Sequence, residues 1–399
     1  MTLPTTTSVP TPTLPVPPDW VLYFLWDSEN IPSGLGDPVQ TLYKAIPGAT
    51  PEEWQIMPVL EQLIGQPQSI LSLDKTILAI TPLEDLNGDG FVSMQGYARG
   101  FDGLNIFAYS FTDGSYERIT ENFPQSLVTM LEGNRILAQY DSGELRIVEM
   151  DDLSIQQLAS PISDNIHWIK PSPDRTLLAV NLSSAQLQII DTQSGGIKRV
   201  TQDIGGFPVE NAWSPDSQWL AIAQPATGHF FLVDATTAEA IQFPDFGSVH
   251  FPTWSPSGDQ LFLIREIPNG SELLFLDVES QVVDPIASLS SEASDPHWSP
   301  DGKYIAFISR QNEGVGLELL DLADNSLHEL WFESDVQRFR IFSWSPDGQW
   351  LLFHVGQEPL NIVEDESSLF ILHQNSGKVF QILDSSGKYD PYDFIWLEK

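Results

Sequence analysis

A phrase of the type Trp-Ser-Pro-Asp returns at a near-constant interval through the second half of this chain. It reads Trp213-Ser214-Pro215-Asp216, Trp254-Ser255-Pro256-Ser257, Trp298-Ser299-Pro300-Asp301-Gly302 and Trp344-Ser345-Pro346-Asp347-Gly348. A worn copy stands at Pro171-Ser172-Pro173-Asp174. The prolines at 173, 215, 256, 300 and 346 are separated by steps of 42, 41, 44 and 46 residues. Self-similarity at such a period marks a repeat architecture, in which each unit buries its apolar faces only by stacking on its neighbours.

The unit around Pro300 shows what repeats. Asp295-Pro296-His297-Trp298 leads into the turn, and Lys303 to Ile308 follows as a β-rich apolar run. Leu317 to Leu322 and Leu327 to Phe332 add two further runs of strand length and composition. Proline presets φ at the second turn position, aspartate hydrogen-bonds nearby backbone, and glycine accepts φ > 0. The phrase therefore predicts a hairpin turn from the first strand of a unit to the second, with its tryptophan packed between units. Four antiparallel strands in about 40–50 residues is the pattern of a propeller blade.

The second strand of each unit can be followed through the chain as Val21 to Trp26, Thr76 to Ile80, Arg135 to Gln139, Thr176 to Val180, Trp219 to Ile222, Gln260 to Ile264, Tyr304 to Phe307 and Trp350 to Phe353. That predicts eight blades, with seven as the alternative. The first unit lacks a first strand, because a Thr/Pro tract precedes Val21. The C-terminus supplies an orphan, Asp393-Phe394-Ile395-Trp396-Leu397. Pairing the orphan with the N-terminal strands would close the ring and remove its exposed sheet edges.

Units in which W-S-P-D-G precedes an apolar strand resemble the TolB-type β-propeller repeat, from about Asp19 to Lys399. The phrase is well kept in five units and eroded in the first three. The expected architecture is all-β: residues 1–18 as a disordered Thr/Pro-rich stalk and residues 19–399 as one propeller of four-stranded blades. The resemblance implies a scaffold at the cell envelope.

The charge balance narrows the partners. With 18 Lys and Arg against 55 Asp and Glu, the net charge is −37. Such a surface repels nucleic acid and anionic lipid and favours cationic partners. The chain has no cysteine, which removes disulfides and thiolate metal sites. No apolar run approaches the roughly 20 residues of a membrane helix. The tract from Thr2 to Pro18 reads as an extended spacer. Spacers of this kind follow removed signal or lipid-anchor segments, so an exported, monomeric protein at the cell surface or in the periplasm is expected.

No nucleophile elbow, H-E-x-x-H, P-loop or dinucleotide fingerprint is present. The sharpest local motif is Asp85-Leu86-Asn87-Gly88-Asp89-Gly90, inside an insertion from about Pro82 to Gly103. Asp85, Asn87 and Asp89, with Ser93 in the closing position, are candidate ligands for Ca²⁺. The same residues favour a plain Asn-Gly/Asp-Gly hairpin turn without metal. A second candidate site is the axial funnel. The segments just before the turn phrases place His167, Glu210, His250, Asp295, His297, Arg338, Arg340 and Asp390 where an inner strand would start. These residues predict a non-enzymatic site for protein, peptide or glycan, in the funnel or on the insertion-bearing face. The alternative is a polysaccharide lyase or hydrolase whose divalent metal is held by His167, His250 and His297, as in the oligogalacturonate lyases that this arrangement resembles.

Overall fold

The computed structural model describes residues 20–27, 39–47, 54–64, 68–81, 83–84, 103–120, 126–140, 144–158, 166–184, 186–200, 204, 210–243, 246–311, 314–334, 338–357, 366–385 and 392–398. The described elements are strands, and they form eight four-stranded antiparallel sheets plus one short ribbon. Each sheet is a blade. Blades 3 to 8 are built from consecutive strands, blade 2 is interrupted by the short ribbon between its second and third strands, and blade 1 joins both ends of the chain. Its innermost strand is Tyr392–Glu398, which pairs with Trp20–Asp27 through Val21↔Leu397 and Leu22↔Trp396. The predicted eight blades and the C-terminal closure are what the chain adopts. The predicted stalk at residues 1–18 lies outside the described residues.

The first strands of consecutive blades touch one another, so they ring the axis. They are Gln68–Leu71, Ser126–Leu131, Ile166–Pro171, Glu210–Trp213, Val249–Trp254, Glu292–Trp298 and Arg338–Trp344 in blades 2 to 8. They all run the same way. One end of the channel is therefore formed by strand starts, and the other by the Ser-Pro-Asp-Gly turns.

Second and third strands are apolar on both faces because blades cover them on both sides. In blade 5, Leu220 and Ile222 face blade 4 with Leu187 and Ile189. The alternate residues Ala221 and Ala223 face blade 6, with Leu261 and Leu263. Period-two alternation thus sorts one strand between two cores. The small alanines leave room there for Phe230, Phe243 and Phe246.

The turn phrase is a hydrogen-bonded device. Ser299 Oγ donates to Asp301 Oδ1 at 2.7 Å and accepts from the Tyr304 N–H at 3.0 Å. The equivalent bonds recur at Ser172 and Ser72. Ser72-Leu73-Asp74 is thus an eroded copy in blade 2, recognisable only by Ser-x-Asp. The tryptophan ties blades together. Trp213 Nε1 donates to Lys170 O, Trp254 to Ala212 O, Trp298 to Thr253 O and Trp344 to His297 O, at 3.0–3.2 Å. In each case the acceptor lies two residues before the serine of the preceding blade. Trp396 completes the series by donating to Ser343 Oγ at 2.8 Å.

One outer contact is unfavourable. Glu318 stands directly across from Glu329 in blade 7. Burial, and then the Glu329 charge, raise the Glu318 carboxyl above its ordinary value of 4.5. A carboxyl whose pKa is raised by folding binds its proton more tightly in the native state. Its penalty is absent below the ordinary value and grows as pH rises through the native one. Glu318→Gln is therefore expected to raise the denaturation midpoint at neutral pH and to match the parent in acid. A difference independent of pH would contradict this.

Candidate functional site

Of the sequence-predicted funnel residues, His167, Glu210, His250, Arg338 and Arg340 lie near the starts of inner strands, whereas Asp295 stands in mid-strand and His297 one residue before its strand ends, next to the turn. His167 is exposed on blade 4, at a bulge between Ile166↔Leu182 and Trp168↔Asn181. His167 and His250 both stand five residues before their serine. Bulges recur at the same level in blades 6 and 7, where Phe251 and Asp295 adopt φ of 54° and 51°. A bulge re-aims side chains next to the channel.

Two carboxylates stitch blades together there. Glu210 opens the inner strand of blade 5, and its Oε2 accepts the Phe251 N–H of blade 6. Its Oε1 lies 3.1 Å from His250 Nδ1, and His250 Nε2 lies 3.2 Å from Ser248 Oγ. The neutral tautomer with the proton on Nδ1 satisfies both contacts, donating to Glu210 and accepting from Ser248. Asp295 repeats the arrangement two blades on. Its Oδ2 accepts the Ile341 N–H of blade 8 at 2.9 Å, and its Oδ1 lies 3.1 Å from His297 Nε2. Glu210, Phe251, Asp295 and Ile341 all stand four residues before their serine, so the acids occupy alternate blades of one ring position.

His167, His250 and His297 are thus in three separate settings, two of them each bonded to a different acid. Among the described residues no three His, Asp or Glu side chains come together as a group that could hold a metal ion. Arg340 is exposed on the inner strand of blade 8. Arg338 lies in the same strand, and its side chain falls outside the described residues, as does Asp390. Asp85, Asn87, Asp89 and Ser93 also lie outside them. The described part of the insertion is the ribbon in which Leu83 pairs with Leu104 and Glu84 with Gly103.

The turn end has a different character, which sequence reasoning missed. Arg175 donates through Nη1 to the carbonyls of Leu71 at 2.6 Å and Met130 at 2.7 Å, so one guanidinium bridges blades 2, 3 and 4. Lys170 donates to Asn211 O at 2.7 Å. Desolvation lowers both cations from their ordinary values. The readable signal was the turn's fourth position, glycine in Ser-Pro-Asp-Gly but Lys75 and Arg175 in blades 2 and 4. A cavity of about 480 Å³ lies beside the closing strand at this end, between blades 8, 1 and 2. At the opposite, strand-start end, a polar cleft of about 960 Å³ opens between blades 6 and 7, with Asn269, Ser290, Glu292, Arg310 and Gln311 on its walls.

No protein-family model matches the chain, and no curated protein matches it. Among solved structures, dipeptidyl peptidase 4 of Porphyromonas gingivalis aligns with a TM-score of 0.61 at 10% identity, over 90% of this chain and 59% of that one. The chain therefore spans about three-fifths of that protein, and the likeness is one of propeller fold. Oligogalacturonate lyase of Vibrio parahaemolyticus aligns at 0.48 and 12% identity, covering 92% of this chain and 85% of the lyase. TolB of Acinetobacter baumannii aligns at 0.43 and 13% identity, covering 82% of this chain and 87% of TolB.

Proposed function

We propose that this chain is a non-enzymatic binding propeller whose strand-start face receives a basic peptide or protein segment. The observation that carries the reading is the use made of Glu210 and Asp295. A general acid or base needs a carboxylate or imidazole within reach of a substrate proton, in a pocket of convergent groups. Here each acid is held by a backbone N–H of the next blade and by one histidine. Their lone pairs serve the joint between blades, which suits a rigid docking face. The net charge of −37 supplies the attraction, since a field of one sign speeds encounter with oppositely charged partners. The Thr/Pro tract fits display of the propeller on a spacer outside the cell, and no helix among the described residues is long and apolar enough to cross a membrane.

The test is a binding panel on the purified protein. Lysine- and arginine-rich peptides are expected to bind with an affinity that falls as salt rises, while neutral and acidic peptides do not. Preferential binding of neutral glycans would move the reading to a lectin, and product released from polygalacturonate or another acidic polysaccharide would replace it with an enzyme. Calcium at Asp85, Asn87, Asp89 and Ser93 rests on the motif alone. If the ion is bound, millimolar Ca²⁺ raises the thermal transition and Asp89→Ala abolishes that rise. No response means that the segment is a plain turn.

A further inference from the structure

The turn end of the channel carries the ingredients of a small-molecule site, separate from the strand-start face and independent of what that face binds. The cavity there has a volume of about 480 Å³, inside the roughly 300–1,000 Å³ usual for small ligands. Its wall is apolar and aromatic, with Leu71, Trp344, Phe394 and Trp396 among its side chains. Ser69 and Lys75 are the polar side chains among its described lining, and no carboxylate is among them. In a chain with three acids for every base, a cavity bordered by a cation and no acid stands apart.

The position of the cation sharpens the point. Lys75 follows Ser72 by three residues and adopts φ of 58°. Its counterparts Gly258, Gly302 and Gly348 sit beside the phrase proline of the preceding blade, with an added Cβ falling 3.6–3.8 Å from that proline's Cδ. Side chains at this position thus ring the axis at the turn end. Blades 6 to 8 leave the ring open with glycine, while blades 2 and 4 place Lys75 and Arg175 there despite left-handed backbone. A long side chain kept where glycine is unstrained points to a use for that side chain. The Arg175 guanidinium rests on the carbonyl of Leu71, a cavity residue, and pairs with no carboxylate among the described residues. Lys75 likewise makes no ion pair among them.

We propose that this cavity binds a small organic anion with an aromatic or apolar body, its acid group on the Lys75 ammonium and its body against Trp344, Phe394 and Trp396. The apolar wall supplies contact area, and the cation supplies a charge-assisted hydrogen bond that selects the anion over its neutral analogue. 3-Phenylpropionate and its amide are the probes, titrated into the intact protein and followed by tryptophan fluorescence and by saturation-transfer NMR. The carboxylate is expected to saturate at millimolar concentration or below, and the amide to bind at least about tenfold more weakly. Lys75→Glu should abolish carboxylate binding and Lys75→Arg should keep it, both with an unchanged thermal transition, because Lys75 is an exposed turn residue. Equal affinity for acid and amide, carboxylate binding that survives Lys75→Glu, or no saturation by the carboxylate would each overturn the proposal. Failure here would leave the strand-start face untouched, since its test reads basic peptides instead.

Discussion

Removal of residues 389–399 is expected to abolish the single cooperative unfolding transition. The deletion takes away the innermost strand of blade 1, Tyr392–Glu398, and turns Trp20–Asp27 into an open edge. Ile395, Trp396 and Leu397 are buried in the parent, and the rings of Trp20 and Trp396 meet edge to face at 4.2 Å. Losing three such side chains removes roughly 5–9 kcal/mol of apolar burial. Domains are stable by about 5–15 kcal/mol. The truncated chain should therefore show a broad, low transition and bind hydrophobic dyes. An unchanged transition in thermal and urea unfolding would refute closure through the C-terminus.

Trp254→Ala should be the costliest single substitution among the phrase residues, at about 3–5 kcal/mol. Trp254 is buried against blade 5, and its Nε1 donates to Ala212 O at 3.0 Å. Trp254→Phe separates the two contributions. It keeps most of the apolar contact but leaves the Ala212 carbonyl without that donor, at a cost of about 1–3 kcal/mol. Trp168 is the internal control. It packs against the blade 4–5 core, but its buried Nε1 has no hydrogen-bond partner among the described residues. Trp168→Phe should therefore cost clearly less than Trp254→Phe in urea unfolding. Equal costs would show that the indole N–H bonds between blades contribute nothing.

The blade count was legible because the turn chemistry is local. Serine, proline, aspartate and glycine each meet a backbone requirement within five residues, so the phrase survives as sequence. Blade 2 was harder to read, because Leu71 and Leu73 replace tryptophan and proline while only Ser72 and Asp74 keep their bonds. The Trp396 closure was readable from the orphan strand, since its indole repeats the role of the other phrase tryptophans. The funnel was legible as a set of residues but not as an arrangement. Bulges at His167, Phe251 and Asp295 shift facing by one residue, and no local pattern announces them. The pairing of Glu210 with the Phe251 backbone depends on a neighbour 41 residues away, which single-strand patterns do not encode. One regularity was available: Glu210, Asp295 and Asp393 each stand three residues before a tryptophan of the series.

The absence of cysteine permits a direct comparison of the two ends of the channel. His167→Cys places a unique thiol on the strand-start face, and Glu279→Cys places one in a turn at the opposite end; both positions are exposed. Each variant is coupled to a bulky maleimide polymer and titrated with a lysine-rich peptide beside its unlabelled form. A binding propeller that uses its strand-start face predicts loss of binding when position 167 is blocked and retention when position 279 is blocked. Retained binding with position 167 blocked, or loss only with position 279 blocked, would contradict it.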